Sequence, residues 1–249
     1  MKKILSILIL FCSVGLTAQN NPLLDSANNA YAKNKFADAV KYYDQIINAG
    51  YESADLHYNL GNAHFKNKQL ALAILNYEKA KKLAPADEDN NYNLKLANGR
   101  LTDKIEALPQ LFIKDWWNNF LLFLSPKTWS WICITLIWLG FAGLVLFFVS
   151  GSRMWKQLGF TGGLLSFLLA LVFFIVAGKS NAISSSHNEG IVLTPSINIK
   201  GSPSEQGTNL FILHEGSKVT IEQSNADWLE IKIANGNRGW IKSAEIAVI

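Results

Sequence analysis

Residues 54–87 read ADLHYNLGNAHFKNKQLALAILNYEKAKKLAPAD, and they decide how the N-terminal part of this 249-residue chain is interpreted. Moved back by 34 residues, the pattern recurs in residues 20–53, which read NNPLLDSANNAYAKNKFADAVKYYDQIINAGYES. The matching positions are Ala27 with Gly61, Ala39 with Ala73, and Tyr43 with Tyr77. A fixed period of this length is typical of stacked helix pairs, in which small residues allow close crossing and tyrosines fill the gaps.

Residues 54–87 resemble the tetratricopeptide repeat family. The residues that carry the resemblance are Leu60, Gly61, Ala73, Tyr77, Ala80 and Pro85. The resemblance implies an all-α region whose concave groove, lined by the first helix of each repeat, binds peptides or partner proteins. Since about three repeats are needed to bury a continuous core, we predict that Asn90–Leu108 adds a capping helix. The repeat region would then span residues 20–108.

The same resemblance predicts which side chains line the groove. They are Asn28, Tyr31, Asn59, Asn62, Phe65 and Lys66. Asparagine suits an extended peptide because one side-chain amide both donates to and accepts from a backbone. The alternative is that these asparagines are simply solvated surface residues. Leu24 stands where the carboxylate-clamp lysine of some family members would be, so the sequence does not predict that clamp.

Two uncharged stretches follow, and they predict a hairpin of membrane-spanning helices. The predicted spans are Trp129–Val149 and Leu158–Ala177, each about 20 residues and therefore long enough to cross the hydrocarbon core. Only residues 150–157 join them, so both ends of the hairpin lie on one side. Buried helices of a soluble protein are the alternative. Leu111–Leu124, which is too short to span, predicts an interfacial helix lying on the lipid bilayer.

The first residues predict export. Lys2 and Lys3 precede an apolar run, and Met1–Ala18 has the form of a signal peptide, with an uncleaved anchor as the alternative. An exported N-terminus would place the repeats and the C-terminal region together in the periplasm, on a bacterial inner-membrane protein. Gly159 and Gly163 form a G-x-x-x-G pattern, which favours close packing of the hairpin or docking to another membrane protein.

The C-terminal part predicts a small all-β domain. A polar linker is expected at residues 180–190, and short strands separated by turns follow in residues 191–249. The segments Leu210–Gly216, Trp228–Ile231 and Gly239–Ile241 resemble the bacterial SH3-like (SH3b) family, whose barrels are non-catalytic and bind peptides or cell-wall stem peptides. Trp228 and Trp240 are the candidate ligand contacts, with packing in the barrel core or rim as the alternative.

The sequence contains none of the common catalytic or cofactor motifs. There is no phosphate-binding glycine loop, no H-E-x-x-H and no G-x-S-x-G, and the two cysteines, Cys12 and Cys133, cannot form a disulfide framework. The net charge of +4 comes from the leader and the flanks of the apolar stretches. We therefore predict a protein that is not an enzyme, with no cofactor, no metal site and no nucleic-acid partner.

These segments together predict a multidomain membrane protein with all-α tetratricopeptide repeats, a two-helix transmembrane hairpin and an all-β SH3-like barrel. This order resembles that of BatE-type proteins of the bacterial aerotolerance operon. The resemblance implies a non-enzymatic adaptor in an aerotolerance or envelope-stress complex. Its expected partners are membrane or periplasmic proteins, including proteins with von Willebrand factor A domains. The alternative function is a cell-wall sensor that contacts peptidoglycan through the SH3b domain.

Overall fold

The computed structural model describes residues 22–106, 108 and 112–249. The predicted signal peptide, Met1–Ala18, lies outside the described residues. Within these residues, five helices form the N-terminal unit: α1 (Pro22–Ala32), α2 (Phe36–Asn48), α3 (Ala54–Lys66), α4 (Leu70–Leu83) and α5 (Glu88–Asn98). Three further helices come next along the chain: α6 (Phe112–Leu121), α7 (Pro126–Val149) and α8 (Arg153–Ser184). The C-terminal unit comes after them.

The two helix pairs, α1 with α2 and α3 with α4, have the same local construction. Ala39 and Ala73 occupy equivalent positions and are fully buried where the helices cross. A side chain at Gly61 would come within 2.7 Å of the Tyr77 ring, which explains why the crossing needs a small residue there. The turn of each pair also repeats, because Asn34 and Lys68 both adopt positive φ, 58° and 64°.

Side-chain caps set where two of these helices begin. The Ser53 hydroxyl accepts a hydrogen bond from the Leu56 N–H at 3.1 Å, and the Asp87 carboxylate accepts one from the Asn90 N–H at 2.8 Å. Each cap satisfies a backbone donor that the first turn of a helix leaves unpaired. Helix α5 ends at Asn98, with Gly99 as its C-terminal cap, so the predicted capping helix is shorter than the range 90–108.

The C-terminal unit is an antiparallel sheet. Its strands are β1 (Glu189–Val192), β2 (Ser196–Lys200), β3 (Asn209–His214), β4 (Lys218–Asn225), β5 (Trp228–Lys232), β6 (Arg238–Lys242) and β7 (Ile246–Val248). Within the described residues the hydrogen-bonded order is β3-β2-β6-β5-β4-β1-β7, and β3 and β7 remain edges. The strands therefore form an open sheet, and the closed barrel of the sequence prediction is not seen. Residues such as Ile199, Val219 and Ile231 form the sheet's own core.

The helix after the hairpin turn is longer than predicted. Helix α8 continues to Ser184, and β1 begins at Glu189, so only a short part of the predicted linker 180–190 is irregular. No proline or glycine interrupts residues 179–184, and the backbone hydrogen bond from the Ser185 N–H to Asn181 O, at 2.8 Å, closes the last turn. A polar composition alone does not end a helix, which is why the linker prediction was wrong at these residues.

Helices α7 and α8 pack along glycines. The Cβ of an alanine at Gly143 would lie 2.7 Å from Gly159 O and 2.8 Å from Gly163 Cα, so the G-x-x-x-G pattern serves the contact inside this hairpin. Both helices are long and apolar enough to cross a membrane. Helix α6 packs beside them: Leu121 is buried, and its carbonyl accepts a hydrogen bond from the Trp129 indole at 3.1 Å.

The repeats and the sheet share one hydrophobic core. Ile191 of β1 and Ile249 pack with Ile74 of α4 and with Leu94 and Ala97 of α5. Lys218 of β4 bridges Glu78 of α4, at 3.0 Å, and Glu189, at 2.9 Å. The sequence suggested two independent modules, but the structure joins them into a single body, which we call the head.

Residues 99–106 and 108, which we call the strap, cross one end of the sheet instead of continuing α5. The Asp103 carboxylate accepts hydrogen bonds from the His214 N–H, from His214 Nδ1 and from the Ser217 hydroxyl, each at 2.7 Å. Ile105 packs on the core of the sheet, and the Leu108 N–H donates to Ala234 O at 3.1 Å. Asp103 thus directs the chain across the β3–β4 turn.

Candidate protein-binding groove

The first helices of the two repeats, α1 and α3, lie side by side. Helix α5 lies beside α3 as the third helix of this row. Burial raises the pKa of Tyr31 of α1, and Tyr58 of α3 lies close enough to contribute to that shift. The Asn93 side chain of α5 donates to Asn62 Oδ1 at 2.9 Å and to the Tyr58 hydroxyl at 3.2 Å. A continuous surface of tyrosines and asparagines therefore runs across α1, α3 and α5, and we call it the groove.

One tyrosine–asparagine hydrogen bond occurs in both repeats. The Tyr43 hydroxyl donates to Asn28 Oδ1 at 2.7 Å, and the Tyr77 hydroxyl donates to Asn62 Oδ1 at 2.8 Å. The second helix of each repeat thus holds an asparagine of its first helix. The amide oxygens are occupied, whereas the two Nδ2 groups have no partner among the described residues. Asn28 and Asn62 therefore present N–H donors to the groove.

Burial extends the pH range over which these phenols stay protonated. It raises the pKa of Tyr43 to about 12, with a smaller contribution from Tyr31. Burial, with smaller contributions from Tyr58 and Tyr31, also raises the pKa of Tyr77. Since a phenol can donate only while it is protonated, the two hydrogen bonds to asparagine persist throughout the neutral pH range.

The remaining predicted groove residues have different surroundings. Tyr31 is half-buried and packs edge-on against Phe36, with 5.4 Å between ring centroids. Phe65 is covered by Arg100, whose guanidinium carbon lies 4.5 Å from the ring centroid. Asn59 is half-buried and Lys66 is exposed, and neither has a hydrogen bond or ion pair among the described residues. Asn59 and Lys66 are thus available to a ligand, whereas Phe65 is partly covered by the chain itself.

The sequence prediction missed three groove residues, Tyr58, Asn93 and Arg100. Asn93 and Arg100 lie 34 residues after Asn59 and Lys66, so one further shift by the repeat period would have identified them. Their role depends on α5 standing in line with α1 and α3, as the first helix of a third, incomplete repeat.

Comparison with known families gives one match. Residues 24–88 match the tetratricopeptide repeat family. The match covers both helix pairs and about a quarter of the chain. No curated protein matches the chain. Tetratricopeptide repeats are typically non-catalytic modules of protein interaction, so the repeats of this chain point to protein partners in general.

The histidines of the tetratricopeptide repeats are structural. His57 is buried and its Nδ1 lies 3.0 Å from Asn76 Oδ1, while Asn76 Nδ2 donates to Leu72 O. His57 Nδ1 must therefore be the donor to Asn76. His64 Nδ1 lies 2.8 Å from Gln69 Oε1. Within the part of the chain that the structure describes, no group of three or more histidine, cysteine or acidic side chains could hold a metal ion.

Away from the repeats, Trp228 and Trp240 lie on the outer face of the sheet. The register pairs Trp228 with Lys242 and Trp240 with Glu230, which places both indoles on the same face of β5 and β6. Both are half-exposed, and Lys242 Nζ lies 5.9 Å from the Trp228 ring centroid. Neither tryptophan belongs to the buried core of the sheet.

Proposed function

We propose that this chain is a non-enzymatic, membrane-anchored adaptor whose groove binds an extended segment of another protein. The observation that carries the proposal is the repeated tyrosine–asparagine bond, which holds Asn28 and Asn62 with their N–H groups free. Peptide carbonyls are acceptors, so fixed donors one repeat apart suit a backbone lying along the groove. Asn59 and Lys66 add further polar contacts in the same surface.

Membrane anchoring is supported by the exposure of α7 and α8. Only 11% and 22% of the residues in their most apolar stretches are buried, whereas the core helix of a soluble protein would be mostly buried. Such an extent of exposed apolar surface needs an apolar surrounding. Helix α6, with Trp116 and Trp117 exposed, would lie at the interface of the same bilayer.

The orientation follows from the predicted leader and the hairpin. An exported N-terminus places the head on the outer face of a bacterial inner membrane, with residues 150–152 at the cytoplasmic turn. The resemblance to BatE-type proteins supports a role in an aerotolerance or envelope-stress complex, with von Willebrand factor A domain proteins as partners. Because the repeats and the sheet share a core, the adaptor presents one body to these partners.

Crosslinking in intact membranes, followed by identification of the captured proteins, tests the groove. The test variant is Asn59→Ala with Lys66→Ala, because neither side chain forms a hydrogen bond or an ion pair within the described residues. The matched control is Lys41→Ala with Gln45→Ala, which changes exposed residues of α2 outside the groove. We expect the same partners with the wild type and the control, and their loss with the groove variant. Retention of all partners by the groove variant would exclude the groove as the docking site.

The second candidate function is a cell-wall sensor, and the shared outer-face position of Trp228 and Trp240 favours it. Half-exposed indoles on one face of a sheet suit stacking against a sugar or a stem peptide. The test is co-sedimentation of the detergent-solubilised full chain with purified peptidoglycan sacculi. Binding that is lost when both tryptophans are changed to alanine would support the sensor. Absence of wild-type binding would exclude it.

A further inference from the structure

A cleft of about 930 Å³ lies where the C-terminal end of α4 meets the start of α7 and the end of α8. Its wall along the hairpin is apolar and includes Ile134, Ile137 and Phe174. These side chains are 42%, 36% and 67% exposed, so nothing in the described chain covers them fully. The opposite end of the cleft is polar and contains Lys82, Lys127 and Ser184.

The polar end is cationic. Its two lysines are the charged residues among those lining the cleft, and neither forms an ion pair with an acidic side chain in the described part of the chain. Lys82 is held in place by two backbone oxygens, since its Nζ donates to Ile249 O at 2.8 Å and to Ser186 O. Burial lowers the pKa of Lys82, and an anion placed beside it would favour the charged form.

Two further features of this end favour an anion. Helix α7 begins there with Ser125 as its cap, and the start of a helix carries partial positive charge. The Ser184 hydroxyl is buried without a hydrogen-bond partner among the described residues, so it is free to donate. Two cations and a hydroxyl group thus line the same cleft as the apolar wall.

We propose that this cleft binds one anionic phospholipid. Its phosphate would lie between Lys82 and Lys127, and an acyl chain would lie along Ile134, Ile137 and Phe174. This lipid site rests on the proposed membrane anchoring, and it specifies one class of lipid that the anchored chain would bind. The bound lipid would join α4 of the head to both helices of the hairpin and so help to hold the groove at one height above the bilayer.

Native mass spectrometry of the purified full chain in detergent tests the site. The probes are phosphatidylglycerol and phosphatidylcholine with identical acyl chains, offered at equal concentration. Lys127→Gln removes a headgroup contact, and Ile137→Trp fills the apolar wall. Lys179→Gln is the matched control, because Lys179 is an exposed lysine near the same end of the hairpin but does not line the cleft.

We expect the wild type and Lys179→Gln to retain phosphatidylglycerol in preference to phosphatidylcholine. Lys127→Gln should weaken that retention about fivefold, the effect of one lysine near an anionic lipid. Ile137→Trp should weaken the retention of both lipids. Equal retention by wild type and Lys127→Gln, or an equal loss in Lys179→Gln, would overturn the site.

Alkaline carbonate extraction of membranes that contain the wild-type chain tests the membrane anchor separately from the lipid site. If the wild type stays in the membrane pellet but shows no preference between the lipids, the lipid site is wrong and the anchor stands. If carbonate releases the wild type, the membrane anchor is wrong, and the lipid site falls with it.

Discussion

Asn28 and Asn62 show at the residue scale how a groove position can serve both folding and binding. Each uses its amide oxygen to accept from a tyrosine of the following helix and leaves its N–H group toward the groove. A change at Asn62 therefore alters the repeat as well as the binding surface. Asn59, which makes no such bond, reports on binding alone.

We predict that Tyr77→Phe lowers the melting temperature of the detergent-solubilised chain by about 2–4 °C, the effect expected for one net hydrogen bond in a domain of this size. Asn59→Ala should leave the melting temperature within about 1 °C of the wild type, because Asn59 forms no hydrogen bond or ion pair within the described residues. Thermal unfolding followed by tryptophan fluorescence measures both. An equal shift in the two variants would contradict the structural role of the Tyr77–Asn62 bond.

Asp103 supplies the charged contact of the strap, so the stability of the strap should depend on pH. Burial tends to raise the Asp103 pKa, but the hydrogen bonds from His214 and Ser217 outweigh it and hold the pKa below its usual value. A carboxyl with a lowered folded-state pKa stabilises the fold above its unfolded pKa of about 3.9. That stabilisation is lost as the pH falls through the lower, folded-state value.

Asp103→Asn should accordingly lower the melting temperature at pH 7, and its difference from the wild type should shrink as the pH falls below about 4. Melting curves between pH 3 and pH 7 provide the measurement. Asp38→Asn, at an exposed position of α2, is the control and should differ little from the wild type at either end. A difference that stays constant across this range would show that the Asp103 charge does not hold the strap.

At the scale of elements, the hairpin depends on glycines that face the partner helix. Gly143 of α7 approaches Gly159 O and Gly163 Cα so closely that no side chain fits. Gly162 of α8 is adjacent to Gly163 in sequence but has no atom within 4 Å of the place where its Cβ would stand. The two helices therefore contain both a close-contact glycine and an open one.

Gly143→Ala should destabilise the hairpin by about 1–3 kcal/mol, the usual effect of overpacking. Gly162→Ala should be neutral or slightly stabilising, since alanine is the better helix former. The melting temperature of each variant in the same detergent provides the comparison, and both variants carry the same gain in helix propensity. If the two glycine variants melted alike, the close approach at Gly143 would not be what holds α7 against α8.

At the scale of the whole molecule, the repeats and the sheet behave as one head because their cores are continuous. Ile191 lies in β1 but packs on Ile74 of α4, and both side chains are fully buried. Lys218, whose side chain is 38% exposed, lies between Glu78 and Glu189. Burial tends to lower the Lys218 pKa, but the two carboxylates outweigh it and raise the pKa. The contact is thus both apolar and charged.

This contact predicts that a change in the sheet loosens the repeats. Ile191→Ala should increase hydrogen–deuterium exchange in α4 and α5, because it removes about 2–5 kcal/mol of packing from the shared core. Ile199→Ala, an equally buried change within the sheet's own core, is the control and should increase exchange in the strands alone. Exchange in α4 that stays at the wild-type level after Ile191→Ala would show that the two units are independent.

The features that could be predicted from the sequence are those that depend on near neighbours along the chain. The 34-residue period placed Tyr43 and Tyr77, Asn28 and Asn62, and the two helix pairs, since a repeat needs the same small and aromatic residues at each crossing. The two uncharged stretches placed α7 and α8 because length and apolarity are local properties. The alternation of apolar and polar residues in Trp228–Ile233 predicted a strand, because this alternation is also a local property.

The remaining features depend on residues far apart in sequence. Arg100 covers Phe65 because α5 stands in line with α3, and Asp103 reaches His214 because the strap crosses the sheet. No period or composition marks such pairs. The sequence by itself therefore determined the repeats, the apolar helices and the strands, because each needs only local periodicity. The tertiary structure alone decided the shared core of the head, the path of the strap and the cleft at the hairpin, because each is formed by side chains that come together only when distant elements pack.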